Sequence, residues 1–186
     1  MKLTMEDRKL YILMLSIHGL VRGHDLELGR DADTGGQTTY VVELARALAR
    51  NPDVEQVDLL TRLVEDPSVS ADYSQPEEEL GPGARILRLP FGPKRYIRKE
   101  QLWPHLDQLV DRTLHYLRQQ GRLPDVIHSH YGDAGYVATK LSQLLGIPQI
   151  HTGHSLGRCK RDRMLASGRK ESAIERQFHF SRRIAA

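Results

Sequence analysis

Leu10-Tyr11-Ile12-Leu13-Met14-Leu15-Ser16-Ile17 is apolar at nearly every position. Such a run has no solvent face, so it predicts a strand buried on both sides, as in a parallel sheet. Tyr40 to Ala49 instead repeats its apolar residues at helical spacing, through Val41, Val42, Leu44, Ala45 and Leu48. Between the two lies a polar loop of about 18 residues that closes on Gly35-Gly36, where the helix begins. Asp33 or Thr34 is expected to cap that helix, and Asn51-Pro52-Asp53 to end it. Val57 to Leu63 predicts a second strand. Residues 64–83 are acidic and rich in Pro, Gly and Ser, the composition of a surface loop with at most one short helix. Ala84 to Pro90 alternates polar and apolar, a third strand nearer the sheet edge. A basic loop follows over residues 91–100. Leu102 to Gln120 predicts an amphipathic helix stopped by Gly121. Asp125 to His130 reads as a fourth strand. A helix over Ala134–Leu145 is then opened by Gly132 or Asp133 and ended by Gly146. Ile147 to Thr152 reads as a fifth strand. After the turn at residues 153–157 and a basic stretch, residues 171–186 are helical by composition. Strands alternating with helices predict an α/β domain over residues 1–186: a Rossmann-like parallel sheet, helices on both faces and right-handed crossovers.

Composition narrows the class. Hydrophobic residues make up 39% of the 186 and charged residues 27%, the balance of a globular chain with a core. No apolar run approaches the ~20 residues that a membrane helix needs. Met1 to Arg8 is polar and mixed in charge, so no secretory signal is expected. The single cysteine, Cys159, leaves no intramolecular disulfide to form and fits a reducing cytoplasm. The net charge of +3 is unevenly placed. Residues 158–186 hold nine Lys/Arg and three Asp/Glu, a net of +6, whereas the other 157 residues carry a net of −3. A local anion site near the C-terminal stretch accounts for this better than a nucleic-acid-binding face spread over the domain.

Ligands of open parallel sheets bind at the carboxyl ends of the strands. The polar residues of interest gather there: His18-Gly19 and Gly35-Gly36 after the first strand, the basic loop after the third, His130-Tyr131-Gly132-Asp133 after the fourth, His154-Ser155 after the fifth. Glycines at a helix start let a ligand approach the backbone N–H groups, and the helix dipole there favours an anion such as phosphate. A ligand-free turn explains a glycine pair equally well on its own, and each histidine alone suits a structural role. His128 and His130 lack the partners of a zinc site. No phosphate-loop, GxGxxG or GxSxG pattern is present.

Ser16-Ile17-His18-Gly19-Leu20, Glu27-Leu28-Gly29-Arg30-Asp31-Ala32-Asp33-Thr34-Gly35-Gly36-Gln37, Tyr40 to Leu48, Lys99-Glu100-Gln101-Leu102-Trp103-Pro104, His128-Ser129-His130-Tyr131-Gly132-Asp133-Ala134-Gly135 and Thr152-Gly153-His154-Ser155-Leu156-Gly157-Arg158 together resemble the sucrose-phosphate synthase family, in order and over nearly the whole chain. The resemblance implies the N-terminal, acceptor-side half of a GT-B fold, with the C-terminal donor-binding domain absent. It implies glucosyl transfer from UDP-glucose to fructose 6-phosphate, with retained anomeric configuration and no metal or other cofactor. By motif, Gly35 and Gly36 would face the donor pyrophosphate. Gln37, Lys99, Tyr131, Ser155, Lys160, Arg182 and Arg183 would surround the acceptor sugar phosphate, and His154 would act at the reacting centre. UDP-glucose would be held through the missing domain, leaving this chain alone inactive. A non-catalytic sugar-phosphate or anion-binding module and a sucrose synthase-like transferase remain the alternatives. Neither nucleic acid nor membrane is an expected partner.

Overall fold

A computed structural model describes residues 8–185. The expectations for Met1 to Asp7 and for Ala186 lie outside these residues. The first strand, β1 (Leu10–Leu15), occupies the middle of a six-stranded sheet. Its alternate residues enter two different cores. Leu13 and Leu15 pack with Leu106, Leu109, Val137 and Ala138, while Ile12 and Met14 pack with Val41, Val42 and Ala45. Two apolar faces on one strand are what an uninterrupted apolar run provides.

The helix α1 (Gly36–Ala49) covers the second of these faces. It leads to β2 (Val54–Arg62), which pairs parallel with β1 and sets Leu13 against Asp58 and Leu15 against Leu60. The expected loop at residues 64–83 contains a 3-10 turn at Ala71–Ser74 and an unforeseen strand, β3 (Glu77–Gly81). This strand pairs antiparallel with β4 (Ala84–Leu89) and forms one sheet edge. Glutamates are depleted from strands in general, which conceals β3 in the sequence. The tertiary structure supplies their partners: Glu77 pairs with Arg85 at 2.9 Å, and Glu78 with the buried Arg88. A charged edge of this kind also resists pairing with another chain.

The next expected helix is broken. A single turn, α2 (Lys99–Leu102), is followed by a 3-10 turn at Trp103–His105 and then by α3 (Leu106–Gln120). Pro104 lacks the N–H that a continuous helix would use there. Gly121 ends α3 at φ +65°. β5 (Val126–His130) pairs with the other side of β1 and runs directly into α4 (Tyr131–Leu145). β6 (Gln149–Thr152) completes the order β3-β4-β2-β1-β5-β6, parallel throughout except for β3. The basic stretch forms α5 (Gly157–Ala166), and the expected C-terminal helix splits into α6 (Glu171–Phe178) and α7 (Phe180–Ala185). The split falls at His179, whose φ of +52° lies outside the helical region. It lets Phe178, Phe180 and Ile174 turn together into a small core of their own.

Candidate functional site

Every parallel strand points its carboxyl end the same way, so the loops after β1, β4, β5 and β6 gather at one edge of the sheet. Gly35 is the N-cap of α1, with extended backbone, and receives no side-chain cap. The expected caps are used elsewhere. Thr34 Oγ1 accepts the Leu20 N–H at 3.2 Å. Asp33 accepts the Lys99 backbone N–H at 2.8 Å and also pairs with Lys99 Nζ. Thr38 N–H bonds back to the Gly35 carbonyl at 3.0 Å, and no side chain caps the start of α1. A Cβ built on Gly35 or Gly36 would meet nothing within 4 Å, and neither residue has positive φ. Nothing in the packing of the chain demands glycine at these two positions. Gly19 is the opposite case: its φ is +81°, and a Cβ there would lie 2.4 Å from the Asp33 carbonyl oxygen. It lets the β1 loop pass against residues 33–34.

The cationic residues divide into two groups. Arg183 is buried, donates to the Tyr131 hydroxyl and stacks over the Tyr131 ring at 5.0 Å. Lys160 lies half-buried on α5, its Nζ 4.8 Å from the Phe178 ring centre. Burial, followed by repulsion from Arg183, pushes the Lys160 ammonium below its usual range, with Lys99 adding to the effect. Lys99 behaves differently. Burial alone would lower it, but the Asp33 carboxylate overrides this and holds it above the ordinary lysine value. An ammonium carries three donors, so pairing with Asp33 leaves Lys99 others to offer. Lys160 thus feels both Lys99 and Arg183, which come from distant parts of the sequence.

Arg182 does not join them. It donates to the Trp103 carbonyl at 3.0 Å and to the Tyr136 hydroxyl at 2.7 Å, fastening α7 to the helical layer. Neighbouring residues on a helix point about 100° apart, and Arg183 lies over the Trp103 ring at 5.9 Å while Arg182 reaches the Trp103 carbonyl. The two arginines expected together at the acceptor phosphate therefore bind different side chains here, Arg182 reaching Tyr136 and Arg183 reaching Tyr131. Gln37 Nε2 donates to Ser16 Oγ at 3.3 Å. Ser155 and Lys160 line an open pocket of about 700 Å³, together with Leu156, Cys159 and Arg163.

Tyr131 has φ +74°, a backbone state that bulky residues rarely adopt and that costs about 1–3 kcal/mol. The surroundings hold it there. Its ring packs edge-on to His18 at 4.5 Å, and His18 Nδ1 lies 2.8 Å from the buried Asp133 carboxylate. His154, exposed after β6, has its Nε2 3.2 Å from Nδ1 of the buried His130. Tyr40 of α1 stands edge-on to both rings. Asp33 and Tyr40 carry no functional signal in the sequence beyond lying inside the matching blocks. Among the described residues, no three His, Cys, Asp or Glu side chains are grouped to hold a metal ion.

Comparison with known proteins decides the family. Residues 35–186 match the glycosyl transferase 4-like domain. The chain belongs to that family. It is 46% identical to probable sucrose-phosphate synthase 2 of Arabidopsis thaliana over 97% of its length, and 43% identical to the sucrose-phosphate synthase of Spinacia oleracea over 98%. It covers 20% of each of those relatives and so spans about one fifth of their length. Among solved structures, it resembles the sucrose-phosphate synthase of Thermosynechococcus elongatus with a TM-score of 0.68 at 28% identity, covering 92% of this chain and 40% of that one. The fold is thus the Rossmann-like half expected of a GT-B glycosyltransferase. No helix among the described residues is long and apolar enough to cross a membrane.

Proposed function

We propose that this chain is the acceptor-side domain of a sucrose-phosphate synthase, in which glucose passes from UDP-glucose to fructose 6-phosphate with retained configuration. One observation carries the reading: Lys99 is tied to Asp33 next to a helix start whose two glycines face open space, and Lys160 feels the charges of both Lys99 and Arg183. In this reading the N–H groups at Gly35 and Gly36 receive the donor pyrophosphate. Cleavage of the glycosidic bond builds negative charge on that leaving group, and donors already in place stabilise it without reorganising. Lys160 and Arg183 hold the acceptor phosphate through charge-assisted hydrogen bonds, with Tyr131 and Ser155 offering hydroxyls beside them. Gln37 lies between the two groups in sequence and contacts the acceptor sugar. His154 contacts the donor glucose. Lys99 binds the acceptor while tethered to Asp33. The nucleotide is held by a second domain, since both substrates must reach near-attack geometry together.

The test is Lys160→Ala in the longer enzyme. The Michaelis constant for fructose 6-phosphate should rise by the equivalent of about 1.5–3 kcal/mol, the value of a hydrogen bond to a charged group, with that for UDP-glucose nearly unchanged. Free fructose, which lacks the phosphate, should be indifferent to the change. Equal weakening of both acceptors would remove Lys160 from the phosphate site.

A further inference from the structure

Three imidazoles form a row on the sheet face that carries α1. His128 and His130 alternate along β5 with ring centres 4.3 Å apart, and His154 follows β6 with its ring 5.5 Å from His130. Around them, Tyr40 stands 5.7 Å from His130 and 5.4 Å from His154. The remaining neighbours are engaged: His128 Nε2 meets Thr152 Oγ1 at 2.8 Å, and His151 Nδ1 meets Ser129 Oγ at 2.9 Å. His130 itself is completely buried. Its Nδ1 faces His154 Nε2 at 3.2 Å, while its Nε2 is buried with no hydrogen-bond partner. The proposed chemistry gives His130 no task.

The orphaned nitrogen decides where the proton sits. Burial, then the neighbouring imidazoles, push His130 down to about 3, so it is neutral near pH 7. A neutral imidazole has one N–H and one lone pair. With the proton on Nε2, a buried N–H would have no acceptor. With the proton on Nδ1, only a lone pair goes unused, the less costly and less rare deficit. His130 therefore donates from Nδ1 to His154 Nε2. Burial, with His18 and His151 nearby, also lowers the pKa of His154 and keeps it neutral. Since its Nε2 accepts, its own proton lies on Nδ1.

We infer that His130 is a positioning residue: its buried Nδ1–H fixes His154 as the Nδ1–H tautomer, so that the free nitrogen of His154 is a hydrogen-bond donor. A donor suits a sugar hydroxyl oxygen and cannot act as a base. That role rests on the proposed contact between His154 and the donor glucose, whereas the tautomer does not.

Long-range proton–nitrogen NMR spectra of the ¹⁵N-labelled chain read histidine tautomers directly, with His154→Gln assigning the His154 signals. At pH 7.5 the Nδ1–H form of His154 should prevail by about tenfold or more, the lower range for avoiding an unpaired buried donor. His130→Asn places an amide nitrogen near the position of Nδ1 and should preserve that form. His130→Phe has no donor and should release His154 to the Nε2–H form that free imidazole prefers. Methyl spectra report whether each variant is folded. An Nε2–H His154 in the unaltered chain overturns the inference whether or not any variant folds. A folded His130→Phe chain with an unchanged His154 tautomer overturns it too. If the tautomer is as inferred but His154→Gln leaves transfer in the longer enzyme at full rate, the donor-sugar contact fails and the tautomer assignment stands.

Discussion

Replacing Gly36 with alanine separates a glycine kept for folding from one kept for a ligand. Gly36 is the first residue of α1, has no positive φ, and faces nothing within 4 Å of a built Cβ. Alanine there reduces the freedom of the unfolded chain without a clash, a gain of about 0.4–1 kcal/mol. For a domain of this size, that raises Tm by roughly 1–4 °C. The effect on transfer should have the opposite sign. Donors to the leaving phosphate must stand about 2.7–3.1 Å from its oxygens, whereas a carbon holds an oxygen at about 3.3–3.6 Å. The added methyl therefore pushes the phosphate off the helix start. Losing one such donor lowers turnover by about 100-fold or more, equivalent to ~2.7 kcal/mol, and Gly36→Val should lower it at least as far. Thermal denaturation of this chain and steady-state rates of the longer enzyme measure the two effects. A Tm lowered by several degrees would make Gly36 structural. An unchanged turnover with a stable fold would mean that no phosphate approaches it.

Three further outcomes follow from the geometry. Gly19→Ala combines positive φ with a Cβ 2.4 Å from the Asp33 carbonyl oxygen, so it should cost at least about 2 kcal/mol and lower Tm by roughly 4–8 °C; urea titration yielding unchanged stability would refute this. His128, His130, His151 and His154 all have folded-state pKa values below the ordinary 6.5. Below pH 6.5 the unfolded chain therefore binds more protons, and stability present above that pH should fall on acidification, by up to about 1.4 kcal/mol per pH unit for the buried His130 and by less for the more exposed histidines, whose charge water screens. For His130 the loss continues down to about pH 3. Urea midpoints identical at pH 7.5, 6.5 and 5.5 would contradict this. In the longer enzyme, Arg183→Ala should raise the Michaelis constant for fructose 6-phosphate by about tenfold or more. Arg182→Ala should leave that constant nearly unchanged and lower Tm instead, because its partners are Trp103 and Tyr136. The reverse pattern would mean the two roles are exchanged.

The sequence by itself determined the parallel sheet and its central strand. An apolar run without a polar face, as at Leu10 to Leu15, can be buried only between two layers, and helical periodicity at Tyr40–Ala49 and Leu106–Gln120 supplies those layers. It also determined the helix stops at Gly121 and Gly146, because a left-handed residue is a local requirement. The matching blocks offered candidate site residues without saying which of them meet. Tertiary structure alone decided four things. Strand β3 forms because it pairs with β4 and sends Leu80 into the core under α1, which outweighs the poor strand propensity of its glutamates. Asp33 binds Lys99 instead of capping α1, because the fold brings a cation 66 residues away within reach of its carboxylate. Arg182 and Arg183, alike in sequence, part because α7 presents one to Tyr136, in the second turn of α4, and the other to Tyr131 at its start. His130 and His154 meet because β5 and β6 are neighbours in register, His130 opposite Thr152, so two loops 24 residues apart end side by side. Periodicity and turn chemistry act over a few residues and can be read locally. Charge pairing and side-chain direction depend on which surfaces the completed sheet brings together.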